Sequence, residues 1–267
     1  MRMRTMALAG FVVFLAQYAS AQTPLRVLCS NGLKAVFEDL RPRAEREAGR
    51  SFGSMEFSTS AAIRQQIQSG EAFDVAILSS DVLDDLIKSG KITEASRTDL
   101  GRSGIGVAVR SGTPKPDVKT PEALKQALLK AKSMTWVEAG ASRVFIEKML
   151  ADLGIAQNVK SKIVLTKGVD ESIANVTSGK TEMLLTLISE IVPAKGLDYA
   201  GPLPAKVQGY VTLTGGVSAN SRNAEAGRAL LKTLSAPSAG PTYQSKGMEL
   251  VLRGDFGDPR PLAPPRK

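Results

Sequence analysis

The sequence predicts an α/β protein of two lobes, and three observations carry that prediction. Short apolar runs of strand type alternate with segments of helical period along most of the chain. The step from strand to helix is made four times by a turn rich in Ser, Gly or Asn: Ser30–Gly32, Ser58–Ser60, Gly140–Ser142 and Gly168–Val169. No repeat of solenoid length is present, so what recurs is one supersecondary unit. In open α/β sheets, ligands sit at the carboxyl ends of strands, where such turns lie. Four of them face one site only if the chain folds as two lobes around a cleft.

Leu25–Cys29 predicts a buried strand, and Ser30-Asn31-Gly32 a turn. Leu33, Val36, Phe37 and Leu40 share one helical face. Pro42 lacks an N–H and clashes with the preceding turn, so a kink or an interruption is expected there. Met55–Phe57 predicts the next strand. Ser58, Thr59 and Ser60 then supply hydroxyls where a helix carrying Ile63 and Ile67 must begin, and Gly70 ends it. Val75–Leu78 predicts a strand buried on both faces. Asp81 is expected to cap a helix bearing Val82, Leu83, Leu86 and Ile87.

Gly104–Arg110 predicts a strand of small and β-branched residues, and Ser111–Lys119 a loop. Thr120-Pro121 is a cap followed by proline at the first helical position. Met134–Val137, Ile163–Leu165 and Met183–Leu187 predict strands. Helices after Ser142 and Val169 carry Ile146 and Met149, and Ile173 and Val176. Pro193 to Pro204 reads as irregular. Gln208–Leu213 predicts a strand, and Arg222–Ser235 and Ser238–Lys246 predict helices. From Arg253 onward, prolines without an apolar period predict an extended, mobile tail.

The 267 residues suffice for one large domain or two modest lobes, and 43% apolar with 23% charged residues is an ordinary globular balance. There is no histidine and one cysteine, Cys29. Histidine general bases, Ser-His-Asp triads, zinc clusters and a disulfide framework are therefore excluded together. Cys29, inside a strand, reads as a small core hydrophobe, and Trp136 likewise reads as core. Met1–Ala21 has two arginines, an apolar segment and Ala19-Ser20-Ala21, the three parts of a secretory signal cut before Gln22. The formal charge of +9 becomes +7 without Arg2 and Arg4. The basic residues form no run and aromatics are few, so no nucleic-acid surface is indicated.

If the four turns share a cleft, they offer hydroxyls and backbone N–H groups with little full charge. That suits a dehydrated anion. No nucleophile–base pair and no Gly-x-Ser-x-Gly elbow is visible, so a binding protein is expected rather than an enzyme, without cofactor or metal. Arg143 follows Ser142 at a helix start, where the helix dipole disfavours a cation. It is either a solvent-facing arginine or a fork for a carboxylate.

The stretch Phe57–Asp81, FSTSAAIRQQIQSGEAFDVAILSSD, resembles the periplasmic molybdate-binding proteins and related type II solute-binding proteins of ABC importers. The likeness rests on Ser60, Gln66-Ile67, Gly70, Asp74 and Ser79-Ser80-Asp81. With the spacing of the units, it extends from about Leu25 to about Leu250. It implies a two-lobed fold, each lobe a mixed, mostly parallel sheet flanked by helices, with the ligand between them. Lobe 1 would hold residues 22–104 plus 212–267 and lobe 2 residues 105–211, with Gly104–Arg110 and Gln208–Leu213 crossing between them. It further implies a periplasmic monomer that closes by hinge motion on a small anion and docks on an ABC permease in the inner membrane.

The family's oxyanion contacts fall at Ser60, at Gly32 in place of the usual serine with Ser30 and Asn31 adjoining, and at the backbone of Ser142 and Val169. The family's tyrosine falls at Leu187, and Arg143 replaces a small residue. Two ligands are implied. One is a molybdate- or tungstate-like oxyanion. The alternative is a small organic di- or tricarboxylate, aconitate- or citrate-like, anchored by Arg143.

Overall fold

The computed structural model describes residues 24–252. The leader and the proline-rich tail expected from the sequence lie outside them. No helix of the described residues is long and apolar enough to cross a membrane.

Three parallel strands open the fold: β1 (Leu25–Ser30), β2 (Phe52–Ser58) and β3 (Val75–Ser79). β1 lies between the other two, with Cys29 opposite Phe57 on one side and Ile77 on the other. The crossovers are helical: α1 (Lys34–Ala48) and α2 (Ser60–Gln68). Every residue of β3 is buried, as a strand covered on both faces requires. The left-handed conformation needed to stop α1 is supplied by Gly49, at φ 63°. α3 (Ser80–Lys88) follows β3 and lays Val82, Leu83 and Leu86 on the sheet.

The pattern recurs further along. β5 (Met134–Val137) lies parallel between β6 (Ile163–Thr166) and β7 (Met183–Leu187). Around them stand α4 (Pro121–Lys130), α5 (Arg143–Asp152), the short α6 (Ala156–Val159), α7 (Val169–Thr177) and α8 (Ile188–Ile191).

The two parallel sets are joined by β4 (Thr98–Arg110), the longest strand. From Thr98 to Gly104 it pairs antiparallel with β9 (Tyr210–Val217). From Ile105 to Arg110 it pairs instead with β7 and with β8 (Leu197–Pro202). One strand thus serves both sets and changes partners between Gly104 and Ile105. The returning chain is fastened at the same point. Gln208 accepts from the N–H of Ile105 at 2.9 Å and donates to the carbonyl of Ile105 at 3.0 Å. α9 (Ala224–Leu234), α10 (Gly240–Ser245) and β10 (Glu249–Leu250) complete the first set. The sheet order is β2-β1-β3-β9-β4-β7-β5-β6, with β8 and β10 as side branches on β4. Cys29 and Trp136 are both core residues, as expected.

Four expectations are corrected. The interruption allowed for at Pro42 does not occur, since α1 is one helix from Lys34 to Ala48. Pro42 is on the exposed face, where water can serve the carbonyl that loses its N–H partner. Asp81 is not the cap of α3. Ser79 holds that position and Asp81 sits in the first turn, where its charge still suits the helix dipole. β4 begins at Thr98 rather than Gly104, because its first half is held by pairing with β9 rather than by an apolar run. The segment from Pro193 to Pro204 contains β8, a half-buried strand whose pairing with β4 supplies what its composition does not.

Candidate functional site

Three helices begin where the two strand sets face each other, and their starts differ in how the first N–H groups are served. In α2, the Thr59 hydroxyl accepts from the N–H of Ala62 at 3.1 Å. The next hydroxyl, Ser60 Oγ, accepts from the N–H of Ser79 at 2.9 Å, tying the end of β3 to the start of α2. Its own proton stays free to be donated. α5 and α7 start after Ser142 and Gly168 with no side-chain cap. The Arg143 N–H donates to the carbonyl of Gly140 at 3.0 Å; the other leading N–H groups have no intrahelical acceptor and carry partial positive charge.

These starts surround an inner cavity. From the first strand set it is lined by Ser30, Asn31, Ser58, Thr59 and Ser60. From the second come Ser142, Val169, Thr186, Leu187 and Glu190, among others. Its volume is about 20 Å³, room for one water-sized group in this conformation. An outer cavity of about 320 Å³ shares Ser60, Gly140 and Ala141 with it, so the two are adjacent. Arg64, Asp81 and Val82 form one wall of the outer cavity, and Arg143, Val144 and Glu147 the other.

Of the seven residues singled out in the sequence, Ser30, Asn31, Ser60, Ser142 and Val169 line the inner cavity. Arg143 does not reach it. Its side chain stands at the outer cavity, ion-paired with Glu147 at 2.7 Å and donating to the carbonyl of Glu138 at 2.9 Å. Arg64 likewise faces the outer cavity, with Asp85 at 3.7 Å. Gly32 lines neither cavity and is buried. A Cβ at Gly32 would stand 2.8 Å from Leu187 Cδ1 and 3.1 Å from Leu213 Cδ1. The two positions where the resemblance expects a serine and a tyrosine therefore face each other. Leu187 fills the space that a side chain at residue 32 would need.

Glu190 is the residue that sequence reasoning missed. It stands on α8, one turn beyond the carboxyl end of β7, and among the described residues is the one ionisable side chain lining the inner cavity. The Thr186 hydroxyl is hydrogen-bonded to its Oε2. Burial pushes its pKa from 4.5 up to about 7, against the lowering effect of hydrogen bonds from Thr186 and the Leu187 backbone. Asp170, in the first turn of α7, pushes it further up. Near neutrality this carboxyl is therefore a hydrogen-bond donor in part of the molecules and a charged acceptor in the rest. The one local signal for it is a further strand–turn–helix step at Leu187–Glu190, which Pro193 cuts short.

Residues 25–249 match the family model of bacterial extracellular solute-binding proteins. A curated relative, the aconitate isomerase of a Pseudomonas species, is 30% identical over 264 residues, covering 94% of this chain and 97% of that protein. The periplasmic molybdate-binding protein of Azotobacter vinelandii superposes with a TM-score of 0.72 at 15% identity, covering 86% of this chain and 99% of that one. A tungstate-binding protein from Desulfovibrio alaskensis does so with a TM-score of 0.60 at 11% identity, covering 86% and 100%.

Proposed function

The chain belongs to the bacterial extracellular solute-binding proteins, and we propose that its cleft takes a small organic tricarboxylate of the aconitate type. The observation that carries this reading is Glu190 in the inner cavity. A carboxyl that is half protonated near neutrality shares a proton well with a carboxylate ligand. Both ligands arrive ionised near neutrality. A tricarboxylate spreads its charge over separate groups and sets one carboxylate beside Glu190, whereas a compact dianion sets its whole charge there and is repelled more by the ionised form. Leu187 against Gly32 points the same way, since it leaves two fewer hydroxyls around an oxyanion. The relationship to a protein named aconitate isomerase supports the choice of acid.

The helix starts of α2, α5 and α7 would hold the carboxylates, with Ser30, Asn31 and Ser60 as side-chain donors. Arg143 would leave Glu147 to meet a carboxylate in the outer cavity. We assign the lobes to residues 22–104 plus 212–267 and 105–211, hinged where β4 changes partners beside Gln208. The inner cavity admits an acid only when the lobes part. In this reading the leader directs export to the periplasm, where the chain is a monomer and an ABC permease in the inner membrane is its partner.

A second reading, a molybdate- or tungstate-like oxyanion, is favoured by the uncapped helix starts. Thermal unfolding of the exported protein with cis- and trans-aconitate, citrate, molybdate, tungstate and sulfate separates the two. A ligand at a hundred times its Kd adds about 2.7 kcal/mol of stability. The expected result is a shift with the tricarboxylates, weakened in Arg143→Ala. A shift confined to molybdate and tungstate overturns the reading.

A further inference from the structure

We infer that Glu190 carries a proton between two carbons of the bound acid, which makes the cleft an isomerase site as well as a binding site. The inference rests on the reading that the cleft takes an aconitate-type acid. Such an acid has a methylene next to a carbon–carbon double bond, with a carboxylate at each end of the three-carbon unit. Moving one proton from the methylene to the far carbon shifts the double bond one place. The product is the same acid or its cis–trans isomer.

The steps balance without a co-reactant. The ionised Glu190 takes the methylene proton as that C–H bond breaks. The electron pair spreads over the double bond onto the far carboxylate. The protonated Glu190 then forms a C–H bond at the former vinyl carbon and is returned to its starting state. Charge builds on carboxylate oxygens in the middle step, and the cavity holds the uncapped starts of α5 and α7 where such charge is stabilised.

The geometry leaves this role to Glu190. A cis–trans change could instead proceed by adding a nucleophile to the double bond, rotating and eliminating it. No thiol, amine or imidazole is among the described residues lining the inner cavity. Cys29 precedes Ser30 in the chain, but it is fully buried and its thiol is pushed well up by that burial. The lining hydroxyls have no base other than Glu190. Thr186 fixes the carboxyl through Oε2. Thr186 and Leu187 of β7 are hydrogen-bonded to it, Asn31 after β1 lines the same cavity, and Asp170 at the start of α7 acts on it through charge. On the other side of α8, Tyr199 of β8 and Gly106 of β4 meet Ile188 and Ile191. Asp170 is the charged group among these, and it favours the protonated form of Glu190. A carboxyl whose pKa lies at about 7 suits a group that must both take and give a proton near neutrality.

The test is proton NMR of trans-aconitate in D2O with the exported protein, read as deuterium entering the methylene and vinyl positions and as appearance of the cis isomer. The wild type should exchange and isomerise, with a rate that rises with pH through about 7. Glu190→Gln should slow both by about a hundredfold or more even at trans-aconitate concentrations that saturate its own thermal shift, so that weaker binding does not account for the loss. Thr186→Val removes a bond that lowers the carboxyl pKa, so the midpoint of the pH profile should move upward. A wild type that binds trans-aconitate without exchange overturns the inference and leaves the binding reading intact. So does exchange at the wild-type rate in Glu190→Gln, or a midpoint that stays in place in Thr186→Val. A wild type whose stability no tricarboxylate changes overturns both.

Discussion

Replacing Glu190 by glutamine keeps the shape of the side chain and removes its titration, so the stability difference between the two proteins should depend on pH in a defined way. In the folded protein the carboxyl pKa is raised from 4.5 to about 7. In the unfolded chain it takes its ordinary value. Between these pH values the folded state holds a proton that the unfolded state has lost. Stability contributed by the neutral carboxyl is therefore fully present below about pH 4.5 and is lost as pH rises through about 7. The whole loss is about 3 kcal/mol. Glutamine has no charge to bury and incurs none of it.

The two proteins should thus have similar melting temperatures near pH 4. Glu190→Gln should be the more stable by about 3 kcal/mol at pH 8, or about 6–12 °C for a chain of this size. Other titrating groups do not confuse the comparison. Bonds from the Gly112 N–H and the Ser111 hydroxyl hold Asp198 below its ordinary range, and bonds from Thr233 and Arg43 do the same for Glu47. Their contributions are lost on acidification in both proteins and cancel in the difference. Thermal unfolding followed by circular dichroism from pH 4 to pH 9 reads the result. A constant gap across that range would refute a carboxyl held neutral by the fold.

Three further outcomes are expected. Gly32→Ser should destabilise by about 1–3 kcal/mol through overpacking against Leu187, and Leu187→Ala added to it should recover part of that loss in urea unfolding. Gln208→Ala leaves the Ile105 and Gly209 N–H groups without their acceptor. It should cost about 1–3 kcal/mol and speed amide hydrogen exchange at those two residues. Ser60→Ala removes the acceptor of the Ser79 N–H and a donor to the cavity. A loss of about 1 kcal/mol in stability and a weakening of ligand binding by about fivefold should follow, read by unfolding and calorimetry.

Much of the fold was legible because its elements announce themselves locally. β3 is a continuous apolar run, and it is buried at each position. Thr120 before Pro121 reads as a capped helix start, and its hydroxyl accepts from the Ala123 N–H at 3.1 Å. The elements that escaped are those held by partners distant in sequence. β8 has a composition of loop type, yet Tyr199 pairs with Ala108 and Leu197 with Arg110. The first half of β4 pairs with β9 across more than a hundred residues of chain. Nothing within either segment specifies such pairing, which is why composition alone left them irregular or short.

The candidate site divides along the same line. Hydroxyls and glycines at strand ends are visible because position in an α/β sheet dictates them, and Ser30, Ser60, Ser142 and Val169 meet around one cavity. The chemistry of that cavity depends on Glu190, whose character is purely tertiary. On an exposed helix it would be an ordinary ionised glutamate. Here β7 places Thr186 against it and α7 brings the charge of Asp170 near, while burial makes the ionised form costly. The same logic covers Gly32 and Leu187. Each alone is an unremarkable small or apolar residue, but at close range each fixes what the other can be. A side chain at residue 32 requires the ends of Leu187 and Leu213 to shift, so the two positions are coupled through packing. The donor ring and the half-buried carboxyl of Glu190 are consequently best understood as a single unit. In the proposed reading, backbone N–H groups at the helix starts recognise charge, and residues 32, 187 and 190 discriminate between a dianion and a tricarboxylate.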